Sequence, residues 1–142
     1  MSLNRMNLVA AALAFAFAGP VFAADTMAKD QVKAEKDRIN SEAKANKEKC
    51  KDLKDNAKDI CMAEAKGAEK VAKAELEAKQ KDTPKNRQKV AEAKADADYG
   101  VAKEKCEDMK GKEKNQCDKD AKAARDSAKK AAKSEGDAGK KG

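Results

Sequence analysis

The chain is 142 residues long, 42% charged and 3% aromatic, with a formal net charge of +7. It has no histidine and no tryptophan, which excludes imidazole acid–base catalysis, histidine-liganded metals and Ser-His-Asp triads. No C-x-x-C occurs among its four cysteines, so a thioredoxin-type redox site is unsupported.

In chain order, the first predicted element is an export signal. "MSLNRMN" carries one arginine and no acid, "LVAAALAFAFA" forms an apolar run from Leu8 to Ala18, and Gly19-Pro20 precedes "VFA". This is the pattern of a cleavable signal peptide, with cleavage expected between Ala23 and Ala24. The apolar run of eleven residues is shorter than the roughly 20 needed to span a bilayer. No cysteine follows the cleavage site to accept a lipid. Cleavage would leave 32 basic and 26 acidic residues, with 14 and 13 in residues 25–80 against 18 and 13 in residues 81–142. The expected location is the bacterial periplasm, where four cysteines are most simply two disulfides.

Downstream of Ala24 the large aliphatic residues are Val32, Ile39, Leu53, Ile60, Val71, Leu76, Val90 and Val101. So few cannot offset the conformational entropy of an ordinary globular chain, and cross-links are the expected remedy. Alanine, lysine and glutamate favour helix, and no run of β-branched or aromatic residues suggests a strand. The predicted fold is all-α, with about four helices in extended or loosely packed hairpins stapled by disulfides. Breaks fall at Asp55-Asn56, at "KDTPKN" (81–86) and at Gly111, placing turns near 55, 84 and 111. The expected organisation is a signal peptide at 1–23, helical hairpin units at 24–82 and 83–134, and a disordered tail at 135–142.

An internal duplication has the same phase. "KEKC" occurs at 47–50 and at 103–106, and each copy continues as C-x-x-(L/M)-x-(D/G)-x-x-K-x-x-C, so the repeating unit is a pair of helices. Turns at 55 and 111 would bring Cys50 to Cys61 and Cys106 to Cys117. A single fold at Thr83-Pro84 between two long helices would instead bring Cys50 to Cys117 and Cys61 to Cys106. The seven-residue phase of Val32, Ile39, Leu53 and Ile60 favours a continuous first helix, while Gly111 favours a turn. Both pairings are open at this level.

Other chemistry is sparse. The cysteine spacings do not resemble a structural zinc site, whose ligands usually lie about two to four residues apart, and neither a metal nor another cofactor is expected. Ser41, Ser127 and Ser134 lie in charged surroundings without a motif. Carboxylates near lysines are solvated helix faces, with i,i+4 pairs expected for Glu69 with Lys73 and Glu75 with Lys79. Tyr99 and Val101, beside Gly100, fit a packing contact between helices. Residues 118–142 resemble linker-histone tails in composition and could make weak contacts with anionic surfaces, without the aromatics needed to stack on bases.

The two "KEKC" copies, the paired C-x10-C segments, "CMAEAKGAEKVAKAELEAK" (61–79) and "VAEAKADADYGVAKEKC" (90–106) resemble small secreted Lys/Ala-rich proteobacterial proteins often labelled TolA-like or cell-envelope-biogenesis proteins. The function of that family is uncharacterised, and the residues themselves give the leading expectation: a non-enzymatic periplasmic helical protein without catalytic residues, acting as a structural, stress-related or interaction module on an unknown envelope component. A basic polyanion or lipid-surface binder, taking lipopolysaccharide or nucleic acid, is the alternative expectation.

Overall fold

The structure is a computed structural model and describes residues 27–138. Four helices follow one another: α1 (Lys29–Lys49), α2 (Asp55–Gln80), α3 (Pro84–Cys106) and α4 (Gly111–Ala138), with one turn of 3-10 helix at Cys50–Asp52. Among the described residues there is no strand. The expected signal peptide and the Ala23/Ala24 cleavage position lie outside the described residues.

Each boundary has a local cause. Lysine and alanine carry α1 to Lys49, where the carbonyl of Cys50 turns to accept from the Leu53 N–H at 3.2 Å. Lys54 is extended, and Asp55, which opens α2, sits in the left-handed region at φ +50°. The second copy repeats this turn: Met109 N–H donates to Cys106 O at 3.1 Å, and Gly111 sits at φ +57°. The middle turn is of another kind. Thr83 accepts from Asn86 N–H at 3.1 Å through Oγ1, and Pro84 occupies the first helical position, where its missing N–H costs nothing.

Asp55 and Gly111 are the same residue of the repeat, fifty-six positions apart, and only glycine adopts this conformation without steric cost. Asp55→Gly is therefore expected to be neutral or to stabilise by up to about 1 kcal/mol, and Gly111→Ala to destabilise by about 1 kcal/mol. Urea denaturation of the two variants checks both signs.

The chain turns at both cystines, and Cys50–Cys61 and Cys106–Cys117 are bridged locally with Cα separations of 5.5 and 5.6 Å. The crossed pairing does not form, and the continuous first helix suggested by the seven-residue phase is broken at Leu53, which is 41% exposed. α4 continues to Ala138, past the expected helix end at 134. Residues 139–142 lie outside the described residues.

α1 packs on α2, α2 on α3 and α3 on α4, all antiparallel, and no other pair of helices comes together among the described residues. The result is an open row with both cystine turns at one end and the Thr83-Pro84 turn at the other. A row has no enclosed centre, so burial is confined to the seams. The buried apolar residues are Ile39, Ala43, Cys50, Ala65, Leu76, Ala95, Cys106 and Ala132. Val32, Ile60, Val71, Val90 and Val101 are only half-buried. Three pairs obey the repeat spacing: Ile39 with Ala95, Cys50 with Cys106, and Leu76 with Ala132. The first hairpin thus fills with isoleucine and leucine the positions that the second leaves to alanine. At the middle seam, α2 and α3 approach so closely that a Cβ on Gly67 would lie 2.7 Å from Ala97 Cβ.

Candidate functional site

The sequence-predicted cysteines form the most definite feature. Cys50 and Cys106 are fully buried, and Cys61 and Cys117 half-buried, so each bridge locks a helix end into its seam. Ser41, Ser127 and Ser134 are exposed on α1 and α4, and Ser134 Oγ donates only to Ala131 O of its own helix, at 2.7 Å. Tyr99 makes the expected interhelical contact: its ring lies 4.3 Å from the guanidinium carbon of Arg125 on α4, a stacked cation–π arrangement. Among the described residues no group of three or more His, Cys, Asp or Glu side chains could hold a metal ion, and no helix is long and apolar enough to cross a membrane.

Part of the charge on the helix faces is paired, both along single helices and across the seams. Glu69 meets Lys73 at 2.6 Å, as its spacing predicts. Glu75 does not turn to Lys79: its carboxylate reaches across the seam to Lys94 on α3, 3.1 Å away, because a close antiparallel neighbour competes with the i,i+4 position. Lys129 likewise bridges α4 to Asp96 on α3 at 2.7 Å. One carboxylate oxygen, Asp118 Oδ1, is buried without a hydrogen-bond partner, while Oδ2 accepts from Lys114 at 2.9 Å. The tail segment is not distinctive in charge. α4 carries eight basic and six acidic residues, α1 seven and five, and α3 six and four, while α2 carries five and six, so the basic excess is spread over three helices.

Glu69 is the most strongly perturbed carboxyl. The Lys47 ammonium on α1, 2.5 Å away, and then that of Lys73 hold it at about 2. Its side chain is 20% exposed, but Lys47 and Lys73 are 34% and 51% exposed, so solvent screening reduces the worth of the arrangement to about 1 kcal/mol. Because the folded value is depressed, this stability is present above the unfolded carboxyl value of about 4.3 and is lost as pH falls from about 5 towards 2. Denaturation at pH 7 and at pH 2.5 should show the wild type losing about 1 kcal/mol more than Glu69→Gln. Equal losses would mean that the pair is solvated.

The same lysine borders a groove of about 600 Å³ between α1 and α2, near the first cystine. Ala43 and Met62 supply its apolar surface, and Lys44, Lys47, Lys51 and Lys58 surround it. Lys47 is paired with Glu69, and Lys51 with Glu48 at 2.7 Å. Lys44 and Lys58 make no ion pair among the described residues. Sequence reading missed this groove by looking for anion contacts in residues 118–142. A usable signal was present: Lys44, Lys47 and Lys51 recur at three and four residues, on one face of a helix, just ahead of a turn that folds Lys58 back beside them. Compared with known proteins, the chain matches no family model, no curated protein and no solved structure.

Proposed function

We propose that this chain is an exported, non-catalytic helical module of the bacterial cell envelope, kept in shape by two disulfides and acting through its exposed helix faces on an envelope component. The observation that carries the reading is the duplicated, disulfide-closed turn. Both cystines close the same local loop in a chain with very little apolar core, a composition that depends on cross-links and hence on an oxidising compartment. The amino-terminal export pattern ahead of Ala24 and the likeness to small secreted Lys/Ala-rich proteins agree with that compartment. An open row of helices also exposes two broad faces for its size, which suits contact with another component better than enclosure of a substrate.

Intact-mass and thiol analysis of the periplasmic fraction, followed by cross-linking in cells, tests this. The expected result is a chain beginning at or within a residue of Ala24, with no free thiol, cross-linked to one envelope component in preference to abundant soluble periplasmic proteins. Recovery of a reduced chain retaining Met1 in the cytosol would overturn the reading.

A further inference from the structure

We propose that the groove between α1 and α2 binds a free, single-chain amphipathic anion, a medium-length fatty carboxylate, whose head group is held by Lys44 and Lys58 and whose hydrocarbon lies along Ala43 and Met62. The inference stands independently of the envelope-module reading, since it rests on the groove alone. Its volume of about 600 Å³ falls within the range of roughly 300–1,000 Å³ usual for small-molecule pockets. Four lysines face it against two carboxylates, Glu48 and Glu69, and both carboxylates are already committed to Lys51 and Lys47. The two ammonium groups left over are strong donors to a carboxylate. An apolar wall beside unpaired cations selects for a ligand with both characters, and neither a short hydrophilic anion nor a neutral alkyl chain satisfies both.

The duplication supplies an internal comparison. Fifty-six residues on, Lys44 is replaced by Gly100, Lys51 by Glu107 and Met62 by Asp118. Lys114, the counterpart of Lys58, is engaged by Glu107 at 3.0 Å and Asp118 at 2.9 Å. Tyr99 stands in place of Ala43, and Lys103, the counterpart of Lys47, makes no ion pair among the described residues. The second hairpin therefore keeps the backbone turn and some apolar surface but lacks the counterparts of Lys44, Lys51 and Met62 and has its Lys58 counterpart engaged. Two copies of one unit have diverged, and the binding character belongs to the first alone.

The test is calorimetric titration of the oxidised protein with decanoate below its micellar concentration at low salt, with acetate, decyl maltoside and phosphatidylglycerol vesicles as separate arms. Decanoate is expected to bind at one site per chain, with acetate and the neutral maltoside at least about tenfold weaker, and affinity should fall as salt rises. The double change Lys44→Gln with Lys58→Gln should weaken decanoate about tenfold or more, while Lys44→Arg with Lys58→Arg retains it. Met62→Asp, which installs the residue of the second copy at an accessible position, should abolish binding with the helical signal unchanged. The proposal is overturned if decanoate does not bind, if it binds equally to the Gln double variant, if stoichiometry shows two equal sites, or if only the vesicles bind. In that last case the recognised object is a bilayer surface.

Discussion

Removal of both disulfides, by reduction or by Cys61→Ser with Cys117→Ser, is expected to cost about 3 kcal/mol per bridge and to replace a cooperative melt by a broad one. Each bridge closes a loop with a sequence separation of 11, and a loop of that length is worth roughly 3 kcal/mol through restriction of the unfolded chain. A small helical domain is stable by about 5–15 kcal/mol. Among the described residues this one buries only Ile39 and Leu76 of its large aliphatics, and its other buried apolar residues are alanine and cystine. Two bridges therefore account for most of the available margin. The loss is also structural, because Cys50 and Cys106 are the most completely buried side chains and anchor the ends of α1 and α3. Once freed, Ala-rich helices without a filled seam fray one by one. Thermal melting followed by far-ultraviolet circular dichroism, with and without reductant, is the measurement. A sharp transition at nearly the same temperature after reduction would show that the seams alone hold the row.

Gly67→Ala is expected to destabilise by about 1–2 kcal/mol, although alanine is the better helix former. Within a helix the exchange should gain about 1 kcal/mol. Here the new methyl would lie 2.7 Å from Ala97 Cβ and 3.2 Å from Ala97 Cα, so the two helices must separate, and overpacking of this kind costs typically 1–3 kcal/mol. The consequence is larger than the contact suggests, because the α2–α3 seam joins the two disulfide-closed hairpins and has no bridge of its own. Gly100→Ala is the matched control. Nothing lies within 4 Å of a Cβ built there, so that change should show the propensity gain undiminished, about 0.5–1 kcal/mol. Urea denaturation of the two variants should give opposite signs; if both stabilise, the close approach of α2 to α3 carries no packing constraint.

Much of this molecule is legible in its sequence. Helix content follows from alanine, lysine and glutamate. The turns at Thr83-Pro84 and Gly111 follow from local preferences that a neighbouring helix does not reverse, whereas the first turn, expected at Asp55-Asn56, lies at Leu53 and Lys54, and Asp55 and Asn56 open α2. The duplication of C-x-x-(L/M)-x-(D/G) carries over into the structure as a duplicated hydrogen bond and a duplicated left-handed residue at Asp55 and Gly111. The Glu69–Lys73 pair was equally accessible, being set by helical spacing within a single element.

The sequence left open whatever depends on which helix lies beside which. Cysteines eleven residues apart fit both a local hairpin and a crossed long one. The decision for local bridges came when the chain turned at Leu53 and Lys54, against the seven-residue phase that pointed to a continuous helix. Glu75 leaves Lys79 for Lys94 because α3 lies antiparallel to α2. Gly67, unremarkable within "CMAEAKGAEK", takes its meaning from Ala97 across the seam. The lysine groove needs the first turn to fold Lys58 back toward Lys44. Composition and punctuation determined the elements and where they end, since those are set within a few residues. Pairing, seam and groove were decided by tertiary structure, since each rests on contacts between segments whose separation in sequence carries no information about their distance in space.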